Sequence, residues 1–242
     1  MNNFNSQQET YQIANLQKQT SQEIYDSFNN LVFSDDTRVM FKMITKINLY
    51  NKIKHLNGDI FEFGVFKGAS LALWLQLIKM NETHGLTLVV GFDFFDSTDV
   101  IDSLEEQNKK LMTEIIHRCS NKKDLNIDVI YEKCNNILLN KVKLIKGDAC
   151  DTCITFKNEN PGARIKLLYL DMDVDKPTYI VLINLWKFIV KDGIIVLDEY
   201  GWHKWDESNA VDRFLKTIEG QYTVTNTNIQ SPTLVITKLN YD

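Results

Sequence analysis

The chain has 242 residues, 44% hydrophobic and 24% charged, with a net charge of -5. That is the balance of a globular protein large enough for one α/β domain with additions. The acidic balance, with a pI near 5.5 and no cluster of Lys and Arg, weighs against a nucleic-acid binder. No apolar run reaches membrane-spanning length, and the polar start Met1-Asn2-Asn3-Phe4 lacks the order of a secretory leader, so a cytoplasmic protein with no membrane partner is expected.

Residues 1–50 read as a helical extension, or lid. Apolar residues are thinly spaced at first (Ile13, Leu16, Ile24, Tyr25, Phe28). A helical pattern then runs from Val39 to Tyr50, with Asp36 placed to cap it. Residues 51–242 read as the main domain. Its first strand, Ile60–Phe63, runs into Gly64-Val65-Phe66-Lys67-Gly68-Ala69-Ser70 and then a helical pattern, Leu71 to Ile78. Strand, tight glycine turn and helix form the unit where an α/β sheet meets a ligand. Gly64 and Gly68 permit close backbone approach, and Glu62 sits at the strand end. The spacing is neither G-x-G-x-x-G nor a Walker loop.

Strand two spans Leu86–Phe92 and ends in Asp93. An acid there takes ribose hydroxyls in dinucleotide folds; as a plain feature it is a helix cap. Residues 94–142 form a long connection with helices predicted at 104–116 and 129–139, which reads as a substrate cover or as plain decoration. Strand three, Val142–Ile145, precedes Gly147-Asp148-Ala149 and a helix at 149–156. Strand four, Ile165–Leu170, runs into Asp171-Met172-Asp173, with Pro177 near the start of the next helix. Strand five, Gly193–Leu197, ends in Asp198-Glu199. A helix at 208–218 and strands at 222–225 and 233–238 complete the chain. Five β/α units followed by two β segments predict a doubly wound, mostly parallel seven-stranded sheet with an N-terminal helical extension.

The cysteines are Cys119, Cys134, Cys150 and Cys153. Cys150-x-x-Cys153 lacks a second pair or nearby histidines, so buried apolar packing is expected over zinc or redox use.

Five predicted strands end in Glu62, Asp93, Asp148, Asp171 and Asp198, and strand carboxyl ends share one edge of a parallel sheet. Singly, each acid reads as a cap or a solvated turn. Together they repel, which calls for a positive partner: a cationic cofactor, a metal ion or both. Hard oxygen donors favour Mg²⁺ or a similar ion. Asp171, Asp198 and Glu199 suit ligand roles; Asp173 suits a base.

The ordered series is Glu62 to Ser70, Gly91-Phe92-Asp93-Phe94-Phe95, Gly147-Asp148 with Asp151-Thr152, Asp171-Met172-Asp173, Pro177-Thr178 and Asp198-Glu199-Tyr200-Gly201-Trp202. It resembles class I S-adenosylmethionine-dependent methyltransferases, and within them the macrocin O-methyltransferase family, metal-dependent enzymes acting on sugar hydroxyls. The resemblance covers roughly residues 30–215. It implies that Glu62, Gly64, Val65, Gly68 and Ser70 surround the methionine part of S-adenosylmethionine. Asp93 and Phe94 would lie at its ribose, and Asp148 and Ala149 at its adenine. It implies Mg²⁺, or another divalent cation such as Mn²⁺, on Asp171, Asp198 and Glu199, with Asp173 as base. Two positions depart from the family: Asp198-Glu199 stands where an Asp-Asp pair is usual, and the tyrosine usual near Asp-x-Asp is Lys176 here or absent.

The expected acceptor is a small sugar, on an activated nucleotide or a glycosylated natural product; homo-oligomer formation is left open. A catechol or other phenol is the alternative acceptor, and a non-catalytic cofactor-binding protein the alternative class. If the acids bind the acceptor directly, His203 joins Asp173 as a candidate base. A nucleotide-sugar dehydrogenase would want Tyr-x-x-x-Lys at its site, whereas Tyr50 and Lys54 precede the first strand.

Overall fold

A computed structural model describes residues 21–82, 85–119 and 122–240. The expectations for residues 1–20 and for a helix break at Asn121 lie outside these, as does the side chain of Cys119. The chain divides into two compact units, Met1–Ile44 and Thr45–Asp242. In the first, α1 (Ser21–Val32) and the start of α2 (Arg38–Ile53) are the described helices. Asp36 accepts from the Arg38 amide at 3.1 Å and precedes α2. The division falls inside α2: its last turns bury Lys46, Leu49, Tyr50 and Ile53 in the main unit.

The main unit alternates β1 (Asp59–Phe63), α3 (Ala69–Asn81), β2 (Val89–Asp93), α4 (Ser97–Ser103), α5 (Glu106–Cys119), α6 (Ile127–Ile137), β3 (Val142–Lys146) and α7 (Ala149–Glu159). It continues with β4 (Ile165–Leu170), α8 (Asp175–Leu185), β5 (Ile189–Leu197), α9 (Glu207–Thr217), β6 (Tyr222–Asn226) and β7 (Leu234–Lys238). The seven strands are ordered β3-β2-β1-β4-β5-β7-β6. β1 to β5 pair in parallel, and β7 runs antiparallel to its neighbours β5 and β6. The doubly wound sheet is therefore as the sequence predicts. Strand two starts later than predicted, at Val89; Leu86, where the predicted run begins, is 90% exposed.

Alternation along the strands makes two cores. Phe61, Phe63, Phe92, Leu168 and Leu170 face one side with Cys153, Val181 and Phe214. Ile60, Val89, Leu167 and Tyr169 face the other with Leu71, Trp74 and Ile130. The predicted cover at 94–142 is thus divided in character. Its α6 buries Ile130 and Cys134 as an ordinary crossover helix, while α4 buries no residue. Cys134 and Cys153 are buried, as expected of small apolar side chains.

Register sets the working edge. Phe63 pairs with Leu170, and Leu170 with Leu197. The ladder continues one step further: the amide of Asp171 donates to Phe63 O at 2.9 Å, and that of Asp198 to Leu170 O at 3.0 Å. Gly64, Asp171 and Asp198 therefore leave the sheet side by side. β1 lies between β2 and β4, which is the switch point where such sheets open a crevice.

Candidate functional site

The turn after β1 is shaped by close packing. Gly64 has φ +89, and a Cβ there would lie 1.9 Å from Asp171 O. Gly68 has φ +80, and its Cβ would meet Ile130 Cγ2 at 2.8 Å. Both glycines are thus required by the chain itself, whatever binds above them. Between them, Val65 is buried and Phe66 takes φ 52. The amides of Val65 and Phe66 donate to Asp93 Oδ2 at 2.7 and 2.9 Å, and that of Phe95 to Oδ1 at 3.0 Å. Asp93 thus ties the turn after β1 to its own loop through backbone amides. Burial raises its pKa, and those amides oppose the rise. Phe94, the next residue, is half-buried.

Glu62 is 1% exposed. Its Oε2 accepts from Ser70 Oγ at 2.7 Å and from Trp74 Nε1 at 2.8 Å. Ser70 Oγ in turn accepts from Lys46 Nζ at 2.5 Å, and that ammonium lies 4.0 Å from the Tyr169 ring centroid. A buried cation from α2 therefore stands beneath the glycine turn, close to the acid at its base. On the far side, Asp148 caps α7 by accepting from the Cys150 amide at 2.7 Å, and Ala149 opens that helix. Burial and the neighbouring Asp148 push the Cys150 thiol up to about 12. The Gly147 amide donates to Asp93 O at 2.9 Å, which joins the turns after β3 and β2.

The second group stands on β4 and β5. Asp171 and Asp173 are half-buried, and Asp173 holds a left-handed backbone, φ 67, a strain typical of functional turns. Asp198 is 2% exposed; it accepts from the Tyr169 hydroxyl and, at 2.6 Å, from Ser231 Oγ. The Glu199 amide donates to Glu207 Oε2 at 3.2 Å. Glu207, the first residue of α9, is fully buried. Burial holds its carboxyl well above the usual carboxylate range, and the charges of Asp173, Asp171 and Asp198 add to this. His203 is exposed on the loop before α9.

The sheet edge therefore brings Glu62, the glycine turn, Asp93, Asp171 and Asp198 to one side, as the strand ends predict. Sequence reasoning missed Lys46, Tyr169, Ser231 and Glu207. A glutamate in the first turn of a helix is ordinary in a sequence; its burial shows only once α9 is packed.

For a divalent cation the chemistry of the donors is suitable. They are hard oxygens, and Glu207 Oε1 is buried without a hydrogen-bond partner. The side chains are not drawn together, however: among the described residues no three His, Cys, Asp or Glu form a metal-ligating group. Asp198 instead directs one oxygen to Tyr169 and the other to Ser231. Also among the described residues, no helix is long and apolar enough to cross a membrane.

A family model described as a methyltransferase domain matches residues 61–200. No curated protein matches the chain. Among solved structures, CalS11, a TDP-rhamnose 3′-O-methyltransferase of calicheamicin biosynthesis, aligns at 23% identity and TM-score 0.64, covering 89% of this chain and 86% of that one. The O-methyltransferase NovP aligns at 17% identity and TM-score 0.64, over 83% and 80%. TomG, an O-methyltransferase from Streptomyces achromogenes solved with S-adenosylmethionine, aligns at 12% identity and TM-score 0.53, over 89% and 96%. At these identities the likeness is one of fold.

Proposed function

Because the chain belongs to this methyltransferase-domain family, we propose that it transfers the methyl of S-adenosylmethionine to a hydroxyl of a sugar, assisted by a divalent cation. The observation that carries the reading is the pairing of two features on one sheet edge: the glycine turn over Glu62, and the acids at the ends of β4 and β5. One feature suits a cationic cofactor; the other suits an acceptor oxygen that must lose a proton.

Glu62, Gly64, Val65, Gly68 and Ser70 would form the wall at the methionine part of the cofactor. Asp93 and Phe94 would border its ribose, and Asp148 and Ala149 its adenine. Glu62 acts there as part of a fixed set with Ser70, Trp74 and Lys46. When bound, the cofactor supplies an electrophilic methyl, and Mg²⁺ or Mn²⁺ on Asp171, Asp198 and Glu199 would lower the pKa of the acceptor hydroxyl. Asp173, held in its strained turn, would take the hydroxyl proton. The remaining work of the chain is alignment of oxygen and methyl.

The sugar acceptor is supported by the activity given for CalS11; a nucleotide-activated sugar for a surface polysaccharide, such as a heptose, fits as well as a natural-product glycoside. The test is a panel of sugar nucleotides incubated with S-adenosylmethionine and Mg²⁺ and read by mass spectrometry. A gain of one methyl on a sugar names the acceptor. Methylation confined to catechols or other phenols overturns the sugar assignment.

A further inference from the structure

Among the described residues, two buried side-chain oxygens lack a hydrogen-bond partner, Glu207 Oε1 and Thr178 Oγ1, and both residues are 0% exposed. They stand in the first turns of α9 and α8. Those turns are bound to one another: the Asp175 amide donates to Asp206 Oδ1 at 2.8 Å, and Arg213 forks onto Asp175 at 2.6 and 2.7 Å. Both orphan oxygens thus belong to one rigid corner.

A buried carboxylate usually takes several hydrogen bonds across its two oxygens. Glu207 has only the Glu199 amide, at 3.2 Å, on Oε2. The charged groups acting on it from neighbouring elements are Asp171 and Asp173 after β4 and Asp198 after β5. Every one is an acid, so a neutral ligand would leave their mutual repulsion in place. A cation reverses its sign. Asp171 and Asp173 sit on a turn, whereas Glu207 is fixed at the head of a packed helix.

Resting on the metal-assisted reading above, we propose that Glu207 Oε1 is a direct ligand of the divalent cation, the member of the set fixed on a packed helix. This places one ligand on α9, outside the sheet-edge loops that the sequence singles out.

The test uses the purified full chain and Mn²⁺ alone. Free and bound Mn²⁺ are counted from the electron paramagnetic resonance signal, and Tm is measured with and without Mn²⁺. S-adenosylmethionine affinity is measured separately by calorimetry. Expected for Glu207→Gln is Mn²⁺ affinity at least about tenfold weaker, loss of most of the Mn²⁺-induced rise in Tm, and cofactor affinity within about twofold of wild type. Glu207→Asp keeps the charge but withdraws the oxygen by one methylene. It should also bind Mn²⁺ more weakly, and serves if the Gln variant does not fold. Wild-type Mn²⁺ affinity in either folded variant overturns the role of Glu207 and leaves the metal reading standing. Absence of Mn²⁺ binding by the wild-type chain overturns the metal reading and, with it, this inference.

Discussion

Asp93, at the end of β2, holds the turn that follows β1: its Oδ2 accepts from the amides of both Val65, at 2.7 Å, and Phe66, at 2.9 Å. Two backbone donors of the glycine turn are thereby satisfied. Asp93→Ala should therefore act on the turn as well as on any ribose contact. We expect a loss of stability of about 1–3 kcal/mol, from the amides left unsatisfied, together with weakened S-adenosylmethionine binding. Denaturant unfolding and calorimetry check the pair of effects. Normal stability with weakened binding would mean that Asp93 acts on the ligand alone.

At the opposite, amino-terminal edge, Lys166 and Glu82 form a buried ion pair of 2.9 Å, at 1% and 10% side-chain exposure. Tyr50 donates to the same Glu82 oxygen at 2.7 Å. Lys166→Met should cost about 3–5 kcal/mol by leaving Glu82 buried without its cation. Methyl transfer by the folded fraction should be unchanged, because this edge is opposite the strand ends at which the site is proposed.

The same network has a pH signature. Burial pushes the Glu82 carboxyl up, but hydrogen bonds from Thr87, Tyr50 and Lys166 outweigh it, and the net pKa lies below the ordinary 4.5. A lowered folded-state pKa contributes stability that is present above the ordinary value and lost as pH falls through the folded one. Glu82→Gln should remove that part of the acid sensitivity, so stabilities of variant and wild type should converge as pH falls from the ordinary 4.5 through the lowered folded-state value. Parallel curves down to the acid transition would contradict the assignment.

Gly64 offers a test of backbone packing. With φ +89 and Asp171 O 1.9 Å from the position of a Cβ, Gly64→Ala would force β1 and β4 apart where both leave the sheet. Strain of this kind reaches several kcal/mol. Loss of folding, or a Tm lowered by about 10 °C or more, is expected. A variant with wild-type Tm would show that the two strand ends are more loosely joined.

Much of this was legible in the sequence because the signals are local. Apolar runs ending in acids mark parallel strands and their carboxyl edge, and the glycine turn marks the first β/α unit. Glu62, Asp93, Asp148, Asp171 and Asp198 were found in that way. What was not legible depends on packing at long separation. Lys46 belongs to an N-terminal helix whose pattern reads as a lid, yet its ammonium reaches Ser70. Ser231 lies in the loop before β7 and meets Asp198 only because β7 inserts beside β5. In the sequence Gly64 and Gly68 suggest ligand approach, whereas in the structure the space a Cβ would take is filled by Asp171 O and by Ile130. The proposed metal ligands illustrate the same limit: residue type suggests them, but it does not tell how far apart the side chains rest.

Asp173 carries the last prediction. Its φ of 67 is a conformation that Asn and Asp tolerate better than other side chains. Asp173→Asn therefore removes the carboxylate while leaving the turn able to form. Its S-adenosylmethionine and Mn²⁺ affinities should stay near those of wild type, while turnover falls by roughly 10²–10⁴-fold, the range for a lost general base. Added Mn²⁺ should not restore it. Asp198→Asn should differ in kind: Asp198 is proposed as a ligand, so its loss should weaken Mn²⁺ binding, and excess metal should recover part of the activity. Asp173→Ala should combine the loss of turnover with about 1–2 kcal/mol of lost stability from the left-handed backbone. Near-normal turnover in Asp173→Asn would remove Asp173 as the base. Asp173 would then remain only as a turn residue, and His203, exposed on the loop before α9, would be the next side chain to substitute.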